Sequence, residues 1–197
     1  MFNSDDSPLA FLEKASDMLS EGVLSSKHPF RQLVVATKSL DDVELRTVVL
    51  RKWVLKRRTI IFHTDIRSPK VKELKDAPNC SLLFYSKADK LQLRFKCIAH
   101  VHHQDRLSNY LLSQTTPQQR ECYQFPIPPG HHISSINKEH YMKSMPSLKP
   151  EDAQNNFAAC VCNFSELDLL YLQYDGHIRL RYKWDKHHEL SISNIVA

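Results

Sequence analysis

Glycine is scarce in this chain, with 3 residues in 197, at positions 22, 130 and 176. The glycine-rich phosphate cradles, which are the dinucleotide fingerprint and the P-loop, need several glycines close together so that the backbone can approach the phosphate. The three glycines here are far apart in the sequence, so neither cradle is present. A phosphorylated ligand would therefore have to be held by Arg, Lys, Ser and Thr side chains.

Long apolar runs are also missing. No segment approaches the roughly 20 apolar residues that a membrane span needs, and the first residues lack the basic and then apolar pattern of a secretory signal. The five cysteines are an odd number, which favours reduced thiols and a cytoplasmic location. Cys160 and Cys162 lie two apart in a predicted strand, so we expect them to share one face as buried structural thiols.

Patterns for metal binding and serine hydrolysis are absent as well. The histidines occur as adjacent pairs at 102–103, 131–132 and 187–188, and neighbours on a strand point to opposite faces, where they do not chelate. No His-Glu-x-x-His or Gly-x-Ser-x-Gly segment occurs. We therefore expect no metal site and no hydrolase of these kinds.

The length and the periodicity indicate one domain, taken as residues 1–197. Residues 7–24 predict an amphipathic helix with Ser7 as the N-cap and Pro8 at its first position. Shorter helices are predicted from Ser68 to Pro78 and over residues 104–114, whereas residues 115–150 are proline-rich and predicted to be irregular, with room for short helices. Strands are predicted over residues 31–38, 45–55, 59–64, 80–85, 91–101, 157–164, 167–173, 177–184 and 190–196.

Short strands with interspersed helices and no β-α-β rhythm are typical of an antiparallel barrel and not of a doubly wound sheet. The predicted fold class is therefore mainly β, of the α+β kind, with an antiparallel β-barrel and peripheral helices.

Two segments carry the densest chemical signal, Arg46-Thr-Val-Val-Leu-Arg51 and Phe62-His-Thr-Asp-Ile-Arg-Ser-Pro-Lys70. Arg46 stands at the edge of an apolar strand and needs an anionic partner, because an unpaired buried charge is costly. A salt bridge to Glu44 or Asp65 and an anionic ligand both meet that need. Residues 68–70 open a helix, and helix N-termini favour anions. Together the two segments predict a phosphate clamp built from side chains.

The order of motifs in this sequence resembles the order found in the pyridoxamine 5′-phosphate oxidase family of FMN-binding split barrels. The pieces are Arg-x-Val-x-Leu from Arg46, Phe-x-Thr-x-x-x-Ser-x-Lys from Phe62 and Ser-Leu-Leu-Phe from Ser81. The likeness runs from His28 to the C-terminus and is closer to an oxidase-related FMN-binding branch than to the vitamin B6 enzymes. It implies a split β-barrel that binds FMN at the interface of a homodimer and acts as an oxidoreductase on a small molecule.

The resemblance also implies roles for individual residues. Arg46, Ser68 and Lys70 would neutralise the flavin phosphate, and Thr64 would contact the phosphate end. The remaining implied cofactor contacts, along the ring and from the second subunit, are Thr47, Val48, Val49, Leu50, Arg51, His63, Gln92, Arg94, Tyr171 and Arg181. From periodicity alone, the polar pairs on the later strands would simply face solvent.

Departures from the family pattern concern the substrate. The implied substrate contacts are Arg51, Tyr110, His177 and Arg179. Gln114 stands where the vitamin B6 enzymes place an arginine, which removes a bidentate phosphate donor. We therefore expect a substrate other than vitamin B6 phosphate. Pro69 replaces a second cation of the family clamp, and Arg67 is a candidate to compensate for it.

Two other functions stay open at this point. One is a flavin carrier or sensor without turnover. The other is a nucleic-acid-binding barrel, suggested by the net charge of +5, although a solvated basic surface explains so mild a charge more simply.

Overall fold

The computed structural model describes residues 2–3, 5–133 and 149–197. The described strands form one antiparallel sheet in the order β3-β2-β1-β4-β5-β6-β7-β8. Because β3 also pairs with β6, the first six strands close into a barrel, as the sequence predicted. The strands are β1 (Gln32–Ser39), β2 (Asp42–Val54), β3 (Thr59–Asp65), β4 (Asn79–Ser86), β5 (Leu91–His102), β6 (Phe157–Tyr171), β7 (Ile178–Trp184) and β8 (Leu190–Asn194).

The long strand β6 produces the split in the barrel. Its first half pairs with β3 as far as Asn163, its second half pairs with β7, and β5 lies along its other edge. The sequence predicted two strands here, over 157–164 and 167–173, and that prediction was wrong. A register shift, in which Lys96 pairs with Glu166 and Cys97 with Phe164, absorbs Ser165 as a bulge, so that the strand bends without ending.

The described helices pack around the barrel. They are α1 (Pro8–Leu24), α2 (Pro69–Asp76), α3 (Arg106–Ser113), α4 (Pro117–Gln124) and α5 (Pro150–Asn156). The predicted cap of α1 is confirmed, since the backbone N–H of Ala10 donates to Ser7 Oγ at 3.2 Å. In the proline-rich stretch, α4 and α5 begin at prolines that occupy the first helical turn, where a missing N–H costs nothing. The rest of that stretch, residues 134–148, lies outside the described residues.

Two hydrophobic clusters hold these elements together. The barrel interior and the inner side of α1 form the larger cluster, which includes the fully buried Phe62 and Phe95. The smaller cluster lies outside β3 and β6, beneath α3, α4 and α5, and includes Ile61, Tyr123 and Phe157. Burying this much apolar side-chain area is what fixes the register of the strands.

The two cysteines of β6 share the barrel interior, as predicted. Cys160 and Cys162 are completely buried in the larger cluster, and both are free thiols. Burial raises the pKa of Cys160 to about 12, although the nearby ammonium of Lys70 acts in the opposite direction. The thiol is therefore protonated at neutral pH and behaves as a small hydrophobic group.

None of the described helices is both long enough and apolar enough to cross a membrane.

Candidate functional site

The end of β3 and the start of α2 bring the predicted clamp together. Lys70 Nζ donates to Thr64 Oγ1 at 3.2 Å and to Ser68 Oγ. Ser68 is the N-cap of α2, yet its side chain makes no capping hydrogen bond, so its hydroxyl stays directed at the lysine. Burial, together with the nearby guanidinium of Arg46, lowers the pKa of Lys70. Two cations and two hydroxyls therefore lie together, with Thr64 and Ser68 almost fully buried.

Arg46 is held in place by a residue that the sequence analysis missed. Its Nη2 atom lies 2.8 Å from Glu73 Oε2, and the hydroxyl of Thr37 accepts from Arg46 and donates to Glu73. Glu44 contributes only its backbone carbonyl, at 3.1 Å. The salt bridge to Glu44 or Asp65, which the sequence left open as the alternative to an anionic ligand, is not formed, because the carboxylate partner is Glu73. The available signal was the spacing, since Glu73 follows Lys70 by three positions and residues so spaced share a helix face.

Arg67 does not take the place of the missing family cation. Its Nη2 atom lies 2.6 Å from Asp65 Oδ2 and donates to the carbonyl of Phe125 at 2.7 Å. Further along the same segment, Gly130 has a φ of +86°, and a Cβ there would lie 3.2 Å from Pro69 Cγ. Arg67 therefore fastens the segment after α4 along the beginning of α2, beside the clamp.

A second polar group lies outside the barrel, where β2 has a register shift between Leu50 and Lys52. Arg51 occupies this bulge, and its buried Nε atom has no hydrogen-bond partner among the described residues. Both ring nitrogens of His63 are likewise buried without a partner. Burial, reinforced by the positive charge of Arg51, lowers the pKa of His63 to about 4. The imidazole is therefore neutral at physiological pH.

The side chains of β2 between these two groups point alternately into the barrel core and toward its outer surface. Val48 and Leu50 point into the barrel core, whereas Thr47 is exposed and Val49 is partly exposed. This strand therefore connects Arg46 at one end of the barrel to Arg51 at the bulge.

The outer faces of β5, β6 and β7 carry a network of ion pairs. Asp168 on β6 lies between Arg94 on β5 and Arg181 on β7 in the strand register. Arg94 Nη2 and Arg179 Nη2 each lie 3.0 Å from Asp168 Oδ2, and Arg181 Nη2 lies 3.5 Å from the same atom. Burial would raise the pKa of Asp168, but the hydrogen bonds from Arg179 and Arg94 outweigh it and bring the pKa below its ordinary value.

Glu166, two positions before Asp168 on β6, adds a second carboxylate to this network. It is nearly buried, and it lies 3.3 Å from Lys96 Nζ and 3.6 Å from Lys183 Nζ. The sequence predicted that Arg179 and Arg181 share a face, which is confirmed by their common partner Asp168. The two acids were missed, although acids two apart in an apolar strand indicate one polar face.

The other residues that the sequence predicted to contact the cofactor or the substrate do not lie at the clamp. Tyr171 packs against Phe2 at a ring distance of 5.4 Å, on the inner face of the sheet beneath α1, whereas Arg181 faces outward. His177 is exposed in the turn before β7, and Tyr110 is exposed on α3. One chain alone therefore does not bring these residues to the clamp. Gln92 is partly exposed on the same face of β5 as Arg94.

A depression of about 390 Å³ adjoins the ion-pair network. Its floor is apolar and includes Val34 and Ala36 of β1 and Leu83 of β4, while Arg94 and Arg181 form one side. Nearby, Leu45 is 64% exposed. An open apolar surface flanked by cations is suited to covering by a second, partly apolar surface.

Comparison with known proteins finds one family model that matches the segment containing the clamp. Residues 12–103 match the family model described as pyridoxamine 5′-phosphate oxidase, FMN-binding domain. This part of the chain therefore resembles the FMN-binding domain of the oxidase-related split barrels. The matched range includes every residue of the clamp. The resemblance drawn from the sequence motifs is thereby confirmed.

Two solved structures show the same fold at low sequence identity. A pyridoxamine 5′-phosphate oxidase-related, FMN-binding protein from Nostoc punctiforme superposes with a TM-score of 0.78 at 19% identity, covering 98% of this chain and 100% of that one. PhzG from Burkholderia lata superposes with a TM-score of 0.70 at 17% identity, covering 99% and 95%. The sequence matches no curated protein.

Proposed function

We propose that this protein is a flavoprotein that binds FMN and uses it in an oxidoreductase reaction on a small molecule. The observation that carries the proposal is the clamp, in which Lys70 contacts both Thr64 and Ser68. This clamp lies within the segment that matches an FMN-binding domain. When bound, the flavin would supply the redox chemistry by taking or giving a hydride, and the protein would supply position, charge and exclusion of water.

The donor set of the clamp fits a phosphate monoester, which carries about −1.5 to −2 charges at pH 7. Arg46 and Lys70 supply two cations, Thr64 and Ser68 supply hydroxyls, and the N-terminus of α2 adds a favourable dipole. Glu73 opposes an anion but does not exhaust Arg46, since a guanidinium has five N–H donors. The clamp therefore has the charge and the donors to hold the FMN phosphate.

We also propose a homodimer with the flavin at the subunit interface. The support is the outer face of the sheet around the depression, where Leu45 and Val43 are more than 60% exposed, at 64% and 63%. Such apolar surface next to a polar rim is typical of interfaces between proteins. In this arrangement Arg181 and Arg94 would face the flavin of the partner subunit. A cytoplasmic location, expected from the odd number of cysteines, remains a prediction.

The proposed substrate is a small molecule other than vitamin B6 phosphate. Besides the Gln114 departure, two of the arginines that could replace the missing cation, Arg120 and Arg179, are engaged elsewhere. Arg120 donates to the carbonyls of Ser113 at 3.1 Å and Thr115 at 2.9 Å, and Arg179 is bound to Asp168. The related PhzG was crystallised with tetrahydrophenazine-1-carboxylic acid, which is a carboxylate and carries no phosphate.

The test of the proposed function begins with the purified protein. We expect a flavin absorption spectrum, and we expect denaturation to release FMN at close to one molecule per chain. Release of mainly FAD, or failure of flavin-free protein to take up FMN, would contradict the proposal. Oxidation or reduction of many molecules of a small-molecule substrate per molecule of bound flavin separates an oxidoreductase from a carrier without turnover.

A further inference from the structure

We propose that Cys80 and Cys97 form a redox-active pair of thiols, which hydrogen peroxide oxidises to a disulfide. The pair lies inside the barrel, on the neighbouring strands β4 and β5. All five cysteines of the chain are free thiols in this structure. Because both reacting groups belong to the chain itself, this chemistry does not depend on a bound flavin.

The strand register places the two thiols opposite each other. Cys80 of β4 is the direct antiparallel partner of Cys97 of β5. Both side chains point into the barrel, since the residues before and after each of them are exposed. Directly opposite residues of an antiparallel pair have Cα atoms about 4.5–5.5 Å apart, and disulfides join Cα atoms that are about 4.4–6.8 Å apart. The two cysteines can therefore be joined with little movement of the backbone.

A third sulfur makes Cys80 the more reactive member of the pair. The thiols of Cys162 and Cys97 hydrogen-bond to Cys80 and lower its pKa, although burial acts in the opposite direction. The same contacts, together with burial, raise the pKa values of Cys97 and Cys162 well above the ordinary range. The thiolate is the form of cysteine that reacts with oxidants. Cys80 is therefore the nucleophile, and Cys97 is the resolving thiol beside it.

The exposure of the four interior cysteines selects both the pair and the oxidant. Cys80 and Cys97 are 7% and 5% exposed, whereas Cys160 and Cys162 have no exposed surface. So little access admits a molecule the size of hydrogen peroxide and excludes a bulky oxidant such as glutathione disulfide. Cys160 is also held protonated by burial, so it stays a structural thiol while Cys80 reacts.

The reaction takes place in two steps. The thiolate of Cys80 attacks one oxygen of hydrogen peroxide, the O–O bond breaks, and the departing hydroxide takes up a proton to become water. The sulfur of Cys97 then attacks the sulfenic acid on Cys80. The S–S bond forms, the S–O bond breaks, and the hydroxyl group leaves as water with the proton of Cys97. In total, two thiols lose two electrons and one molecule of peroxide is reduced to two of water.

The test is oxidation of the folded protein in the dark, where no light-driven flavin chemistry contributes. Protein that has been fully reduced is treated with a small excess of hydrogen peroxide, its remaining thiols are alkylated, and its tryptic peptides are analysed by mass spectrometry. Cys80 and Cys97 fall in separate peptides, residues 76–87 and 97–106. We expect a disulfide to join these two peptides. The free thiol of Cys80 should disappear several-fold faster than that of Cys122, which is exposed.

Two variants test the assigned roles. Cys97→Ser removes the resolving thiol, so the sulfenic acid on Cys80 should persist and react with dimedone more strongly than in the wild type. Cys122→Ser is the matched control, and it should form the disulfide at the wild-type rate. If Cys97→Ser does not fold, the peptide analysis of the wild type decides alone. A pair that stays reduced until the protein is denatured, or a disulfide between other cysteines, would overturn the inference.

Discussion

Arg46 on β2 and Glu73 on α2 form a 2.8 Å ion pair at the end of the barrel. Thr37 hydrogen-bonds to both partners and is itself almost fully buried. The pair fixes the guanidinium near Lys70, whose pKa is lowered first by burial and then by the charge of Arg46. The clamp is therefore preorganised, but one of its cations is partly neutralised until a stronger anion arrives.

Glu73→Gln should strengthen the binding of FMN several-fold. The amide oxygen of glutamine can still accept from Arg46, so the guanidinium keeps its position while the repulsion between the carboxylate and a phosphate is removed. Fluorescence titration of flavin-free protein with FMN measures the change. The same substitution should leave affinity for riboflavin, which lacks the phosphate, unaffected. Weaker FMN binding in the variant would show that Glu73 contributes to the site and does not compete with the ligand.

Removal of either clamp cation should weaken FMN binding. We expect Arg46→Ala and Lys70→Ala each to lose about 10- to 100-fold in affinity, because a charge-assisted hydrogen bond contributes roughly 1.5–3 kcal/mol. Lys72→Ala is the matched control, since Lys72 lies on the same helix but is exposed and paired with Asp76. If both clamp variants titrate FMN like the wild type, the phosphate binds elsewhere.

The affinity for FMN should fall at alkaline pH through Lys70. Burial and the charge of Arg46 lower the pKa of Lys70 from its ordinary 10.5. As the pH rises through this lowered pKa, the lysine loses its proton and the phosphate loses a cation, at a pH where an exposed lysine would still be charged. Titrations across alkaline pH should show this loss in the wild type and not in Lys70→Arg, whose guanidinium stays protonated. Parallel pH profiles for the two proteins would contradict the assignment.

The outer face of the sheet should support a dimer. Leu45→Glu places a charge on this exposed apolar surface, so the dimer should dissociate at higher protein concentration than the wild type, because burying an unpaired charge at an interface is costly. Sedimentation velocity over a range of concentrations measures this. Leu40→Glu alters a similarly exposed leucine in the turn between β1 and β2 and serves as the control. A wild-type protein that carries flavin as a monomer would remove the basis for the shared site.

Sequence reasoning predicted the parts of the site that are contiguous or periodic. Thr64, Ser68 and Lys70 lie within seven residues at a strand-to-helix junction, so a local pattern was enough to bring them together. The same holds for Arg179 and Arg181, whose spacing of two sets a shared face.

The parts that sequence reasoning missed depend on packing between distant elements. The pair of Arg46 with Glu73 requires α2 to pack against β1, the neighbour of β2 in the sheet, and no local pattern specifies that. Tyr123 and His63 pack against the same ring, Phe157, only because α4 lies over the start of β6. The continuity of β6 through Ser165 depends on its pairing with β5, which supplies the partner strand across the bulge.

We propose that side chains of this barrel hold the phosphate of FMN. The most direct measurement compares the affinities of flavin-free protein for FMN and for riboflavin, which share the ring and differ in the phosphate. We predict that FMN binds at least about 100-fold more tightly, the contribution of two charge-assisted contacts, and that this ratio shrinks in Lys70→Ala. Equal affinities for FMN and riboflavin, or a ratio unchanged in Lys70→Ala, would show that the clamp does not bind the phosphate.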